Sequence, residues 1–172
     1  MTPEQAGFLA SVFLPSVQKE YLTTRRVLRA IPVEKDGFQP HPVARTTIEL
    51  AWHLASSDVW FLDGFLTSKF EMEDDSMPGD LTDTADIVAL YEEQFEAKFA
   101  EVARLAPEFW ATPLAFFGMF NSPAVLYLQF MLNHSIHHRG QLTAYLREMG
   151  AKVPNIYGGS FDEPMPAVPP NE

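Results

Sequence analysis

The sequence predicts an all-α protein built as a four-helix bundle. Three observations carry this. Four long segments repeat their apolar residues at three- and four-residue intervals, prolines, glycines and capping residues punctuate the gaps, and no segment shows a convincing strand-like alternation. At 172 residues and 47% hydrophobic composition the chain is long enough for one domain with a real core. That domain is expected over residues 1–160, followed by an acidic, proline-rich tail, 161–172, whose last ten residues are expected to be disordered. There is no internal repeat.

The first helix starts at Thr2-Pro3-Glu4, with Phe8, Leu9, Val12 and Phe13 in period, and Pro15 is expected to kink or restart it. Val17, Tyr21, Leu28 and Ile31 continue the apolar face while Lys19, Glu20, Arg25, Arg26 and Arg29 cover the outer one, up to Pro32. Residues 33–43 hold Gly37, Pro40 and Pro42 and read as a connection that pins Phe38 to the core. A second helix begins near Arg45, its apolar face formed by Leu50, Leu54, Ser57, Phe61 and Phe65, with His53 at the edge of that stripe. Residues 69–83 are acidic and aperiodic, so an exposed loop is expected. A cap at Asp83 or Thr84 opens a third helix lined by Ile87, Tyr91, Phe95, Phe99, Val102 and Leu105 and closed by Pro107. Residues 109–120, rich in aromatics, read as a partly buried connection, long enough to permit a crossover.

The fourth helix has clear ends, with Asn121 and Ser122 as capping residues before Pro123 and Gly150 as a left-handed stop. Three of the five histidines fall in it. Wrapped at roughly 100° per residue, Leu128, Met131, Leu132, Ser135, Leu142, Leu146 and Met149 share one face. His138 lies near the centre of that face, His134 at its flank, and His137 roughly 120° away. Side chains four apart are helix neighbours, so the imidazoles of His134 and His138 can reach one ion, and His53 is a third candidate from another apolar helix.

Composition narrows the function classes. The absence of cysteine excludes disulfides, thiolate ligands and a cysteine nucleophile, so any metal is held by nitrogen or oxygen. A net charge of −11 repels phosphate backbones and anionic headgroups, which argues against nucleic-acid partners. No basic residue precedes the apolar run from Phe8 to Leu14, and no window approaches about 18 uninterrupted apolar residues, so neither a leader nor a membrane partner is expected and a cytoplasmic location is the default.

Three neutral imidazoles leave one or more coordination positions for water or substrate, the arrangement of a catalytic metal site. The competing reading, a core or surface histidine satisfied by hydrogen bonds, is better for any one histidine alone, and His41 between Pro40 and Pro42 falls there. Arg139 and Gln141 read as helix-surface residues, with orientation of a substrate or water as the alternative. Gly140 costs about 1 kcal/mol against alanine, which suggests close approach of another helix or chain, with mere tolerance as the alternative. Asp58 reads as a capping or solvated residue, with a bond to a histidine as the alternative. Trp52, Trp60 and Trp110 read as core or interface rather than as a substrate platform.

The string His134-Ser135-Ile136-His137-His138-Arg139-Gly140-Gln141-Leu142, continued by Tyr145-Leu146-Arg147-Glu148-Met149-Gly150, resembles the final-helix signature of the DinB/YfiT-like family of metal-dependent enzymes. Leu50-Ala51-Trp52-His53-Leu54 resembles its second-helix signature, and Phe38, Pro40 and the Val153 to Gly158 segment are also similar. The resemblance implies a bundle that binds a divalent metal ion, nickel or zinc, through His53, His134 and His138, and a homodimer. It further implies an enzyme of the thiol-dependent S-transferase or isomerase type, acting on a small electrophile with a low-molecular-weight thiol such as bacillithiol, mycothiol or glutathione. Metal-dependent hydrolysis of a small-molecule substrate, or a non-catalytic, stress-related dimeric protein with a structural metal site, are the alternatives. No general base is assigned.

Overall fold

A computed structural model describes residues 1–72 and 74–166. Its long helices are α1 (Pro3–Arg29), α2 (Thr47–Thr67), α3 (Thr84–Val102) and α5 (Ala124–Glu148), with a single 3-10 turn at Val33–Lys35 and a short α4 (Pro107–Ala111). Helices α1 and α2 each pack against both α3 and α5, so α1 and α2 occupy opposite corners of the bundle, as do α3 and α5. The link from α3 to α5 therefore crosses the bundle end. Among the described residues, no helix is long and apolar enough to cross a membrane.

The helix ends follow from side chains that satisfy exposed backbone groups. Thr2 with Gln5, and Thr46 with Glu49, form reciprocal capping boxes, and the Asp83 carboxylate accepts from the Asp86 N–H. At the far end of α5, Gly150 adopts φ 74°, and the N–H groups of Gly150 and Ala151 donate to the carbonyls of Arg147 and Leu146. This is a Schellman stop. The start of α5 differs from the sequence expectation: Pro123 itself occupies the cap position, which has no side-chain bond, because Asn121 and Ser122 are committed to a strand.

That strand corrects a further expectation. Residues 113–123 form an antiparallel hairpin, β1 (Pro113–Phe116) and β2 (Phe120–Pro123), with Phe116 opposite Phe120. Its turn holds Phe117 at φ 52° and Gly118 at φ 68°. A bulky side chain in the left-handed region costs about 1–2 kcal/mol. The cost is offset locally, since the Phe117 N–H donates to the Phe70 carbonyl at 2.8 Å and its ring stacks on Trp60. Phe70 in turn needs Gly64, where a Cβ would sit 2.1 Å from the Phe70 ring.

Two readings of α1 and one of α3 also change. Helix α1 continues through Pro15 rather than restarting there, with Pro15 and Ser11, whose carbonyl loses a partner, both facing solvent. Its first half buries the small residues Ala6 and Ala10, while Phe8 is 68% and Val12 49% exposed. The reason is the approach of α4: a Cβ on Gly7 would meet Pro107 at 3.0 Å, leaving no room for large side chains on that face. Helix α3 ends at Val102, before Leu105, and Pro107 opens α4 rather than closing α3.

The core between the four corners is filled by Tyr21, Leu28, Leu54, Phe65, Ile87, Phe95, Leu128 and Leu142, among others. Tyr21 stacks on Phe95 with centroids 4.0 Å apart. After α5 the chain folds back: Asp162 accepts from the Val153 N–H and pairs with Arg147, and Glu163 accepts from Arg26 and the Asn155 N–H. The part of the expected disordered tail from 167 to 172 lies outside the described residues.

Candidate metal centre

Helices α2 and α5 are adjacent corners, and their packing brings His53 to His134 and His138. Ring centroids are 5.0 Å apart for His53 and His134, 4.6 Å for His53 and His138, and 4.4 Å for His134 and His138. One ligand nitrogen from each lies within 4.8 Å of the other two. A tetrahedral ion bound at about 2.0–2.1 Å per nitrogen needs them roughly 3.3 Å apart, within reach of small ring rotations. All three side chains are half-buried, so the cluster is accessible.

The hydrogen bonds set the rings. His53 Nδ1 lies 2.7 Å from Asp75 Oδ2 and His138 Nδ1 lies 2.8 Å from Gln141 Oε1. Both acceptors want a proton on Nδ1, which leaves the Nε2 lone pair of each ring for a ligand. His134 Nδ1 is buried with no hydrogen-bond partner. An orphaned buried nitrogen beside two pre-oriented imidazoles fits a metal ion. Burial first, and the neighbouring His138 and His53 second, lower the His134 pKa to about 4. Burial also lowers that of His138, against the opposing pull of Gln141. Both rings are thus neutral at pH 7, the form that ligates metal.

The remaining sequence candidates are placed as follows. His137 is exposed and outside the cluster, with Nε2 against Gln141. His41 lies in the α1–α2 connection, where its Nδ1 accepts from Val43. Arg139, read as a surface residue, is 1% exposed and meets Glu20 at 2.6 Å, with Tyr157 Oη and Thr24 Oγ1 also in contact. Gln141 is exposed, as read, and its Oε1 also meets His138 Nδ1. Gly140 faces open space, with no other helix against it.

Asp58, read as capping or solvated, is buried, and among the described residues it hydrogen-bonds to no histidine. It accepts from the hydroxyls of Ser135 and Tyr91. Burial raises its carboxyl pKa to about 6, opposed by those two hydrogen bonds and by Arg139.

Asp75 is the residue sequence reasoning missed. The acidic loop reads as solvated, yet it is tied over the site by two indoles: Trp52 Nε1 donates to the Asp75 carbonyl at 2.8 Å and Trp60 Nε1 to the Glu71 carbonyl at 3.1 Å. The Asp75 carboxylate also accepts from Ser56 and lies 3.6 Å from Arg45. Beside it opens a cavity of about 690 Å³ whose lining includes His53, His134, Trp52 and Trp60. Trp52 and Trp60 thus face a cavity, and only Trp110 is core.

Comparison with known proteins bears on the family and the fold. In the curated sequences, 36 residues align at 47% identity with the uncharacterized protein YrdA of Bacillus subtilis; the aligned stretch spans 21% of the chain and 22% of YrdA's length. Among solved structures, a DinB-like protein of Bacillus cereus superposes with a TM-score of 0.71 at 29% identity, over 84% of this chain and 95% of that one. The DinB-like protein YjoA of Bacillus subtilis shares the fold, with a TM-score of 0.67 at 20% identity over 84% of this chain and 96% of that one. The model of the DinB family matches residues 4–171. With a bundle of this topology and three histidines positioned so that they could hold a metal ion, the chain belongs to the DinB family.

Proposed function

We propose that His53, His134 and His138 hold one divalent metal ion, nickel or zinc, and that the protein is a metal-dependent enzyme of the thiol-dependent S-transferase type. The observation that carries this reading is the convergence of three ring nitrogens within 4.8 Å, with His53 and His134 among them lining a cavity of about 690 Å³. A protein using its histidines only for structure has no need of the cavity. When bound, such an ion supplies Lewis acidity that favours the anion of a thiol or water placed beside it.

The chain's own residues do the rest. Asp75 and Gln141 fix the tautomers of His53 and His138, so the donor set is arranged before a ligand arrives. The aromatic wall excludes water from an electrophile lodged against Trp60 and Phe61. Asp75 lines the cavity, its carboxylate 3.6 Å from Arg45, so its charge acts on what enters. The small-molecule electrophile occupies the cavity and the thiol reaches it at the histidine end.

Elemental analysis of the purified protein, followed by an electrophile panel with and without bacillithiol, mycothiol or glutathione, tests this. Turnover that needs both metal and thiol is expected. Metal-dependent turnover without thiol would replace the transferase by a hydrolase, and a metal that only raises the melting temperature would reduce the site to a structural one.

A further inference from the structure

The cavity beside the histidines has a composition that selects among ligands. Trp60 and Phe117 stack along one wall with centroids 5.3 Å apart and planes at 29°, and Phe61 and Phe116 continue that surface. The hairpin holds Phe117 in the left-handed conformation that puts its ring there. Four carboxylates also line the cavity: Asp63, Glu71, Asp74 and Asp75. Two of them have cationic partners. Lys98 Nζ lies 2.6 Å from Asp63, and Asp75 faces His53 and Arg45. Among the described residues, Glu71 and Asp74 have none, and Asp74 accepts only from the neutral donors of Ser76. No lysine or arginine among them lines the cavity.

We infer that this cavity takes a flat, apolar small molecule carrying a positive charge, an arylalkyl amine in its ammonium form, with its ring against Trp60 and Phe117 and its charge toward Glu71 and Asp74. Aromatic faces attract flat rings and cations alike. An anion of the same shape loses hydration on entry and meets like charge along the side formed by Glu71 and Asp74. A thiol bearing carboxylates must therefore keep them outside this cavity. The inference names the substrate class of the centre proposed above and rests on that reading only for the ligand being a substrate.

Calorimetric titration of the full chain with 2-naphthylmethylammonium, 2-naphthylmethanol and 2-naphthoate tests it, on wild type and on His134→Ala. In His134→Ala, which lacks the proposed ion, the ammonium is expected to bind about tenfold tighter than the naphthoate, with the alcohol between them, and wild type shows how far the metal centre changes that order. Glu71→Gln with Asp74→Asn should remove the ammonium's advantage over the alcohol. Phe117→Gly relieves the left-handed backbone and so keeps the fold, and it should weaken all three probes several-fold. Naphthoate binding as well as the ammonium in His134→Ala, or no binding of any probe, would overturn the inference. Loss of metal from wild type with this order kept would instead strike the metal reading alone.

Discussion

The carboxylate of Asp75 lies 2.7 Å from Nδ1 of His53, across 22 residues of sequence and from a loop with no periodicity of its own. This contact ties the acidic loop to the candidate ligand set and fixes which nitrogen of His53 can bind an ion.

Replacing Asp75 by Asn should therefore lower metal affinity by about tenfold while the fold holds, since a carboxylate behind a ligating imidazole raises its basicity. The loop clip survives, because Trp52 bonds the main-chain carbonyl of Asp75. Chelator competition measures the affinity. An unchanged value in a variant of unchanged melting temperature would remove Asp75 from the site.

Asp58 predicts a pH dependence of stability. Its carboxyl is raised to about 6 in the fold against 3.8 in the unfolded chain, so between those values the folded state binds more protons and stability from this group rises as pH falls. The geometry tolerates both states: once protonated, Asp58 can donate to Ser135 Oγ, whose own proton turns to the Met131 carbonyl at 2.9 Å. Denaturant titrations of wild type and Asp58→Asn at pH 7.5 and 4 should show wild type gaining about 2 kcal/mol relative to the variant at the lower pH. A difference independent of pH would contradict the raised value.

Arg139 predicts a cost in folding. Arg139→Ala leaves Glu20, whose side chain is 12% exposed, without its cation, and should destabilise the protein by about 3–5 kcal/mol. Adding Glu20→Gln should recover much of that loss. A single variant as stable as wild type in urea would show that the pair is not holding α1 to α5.

The bundle and the inward pair of histidines are legible because a helix has one period, and Leu128, Ser135, Leu142 and Leu146 display it around His134 and His138. Arg139 carries the same signal, one heptad before Leu146 and so on the buried stripe, but its charge reads as surface when the buried acid that pairs with it comes from another helix. The hairpin is hidden because its first strand begins and its second ends in proline, and the two pack by aromatic contact rather than by alternation; Gly118 between two phenylalanine-rich runs is its one local sign. Asp75 is illegible for a stronger reason. Its place depends on indole N–H groups of a different element, and nothing in residues 69–83 encodes that partner locally.

Metal content per chain tests the central claim most directly. Plasma mass spectrometry of protein purified without chelator should find close to one nickel or zinc ion per chain in wild type and in His137→Ala, and almost none in folded His134→Ala. Full occupancy in His134→Ala, or none in wild type after exposure to either ion, would contradict a three-histidine centre.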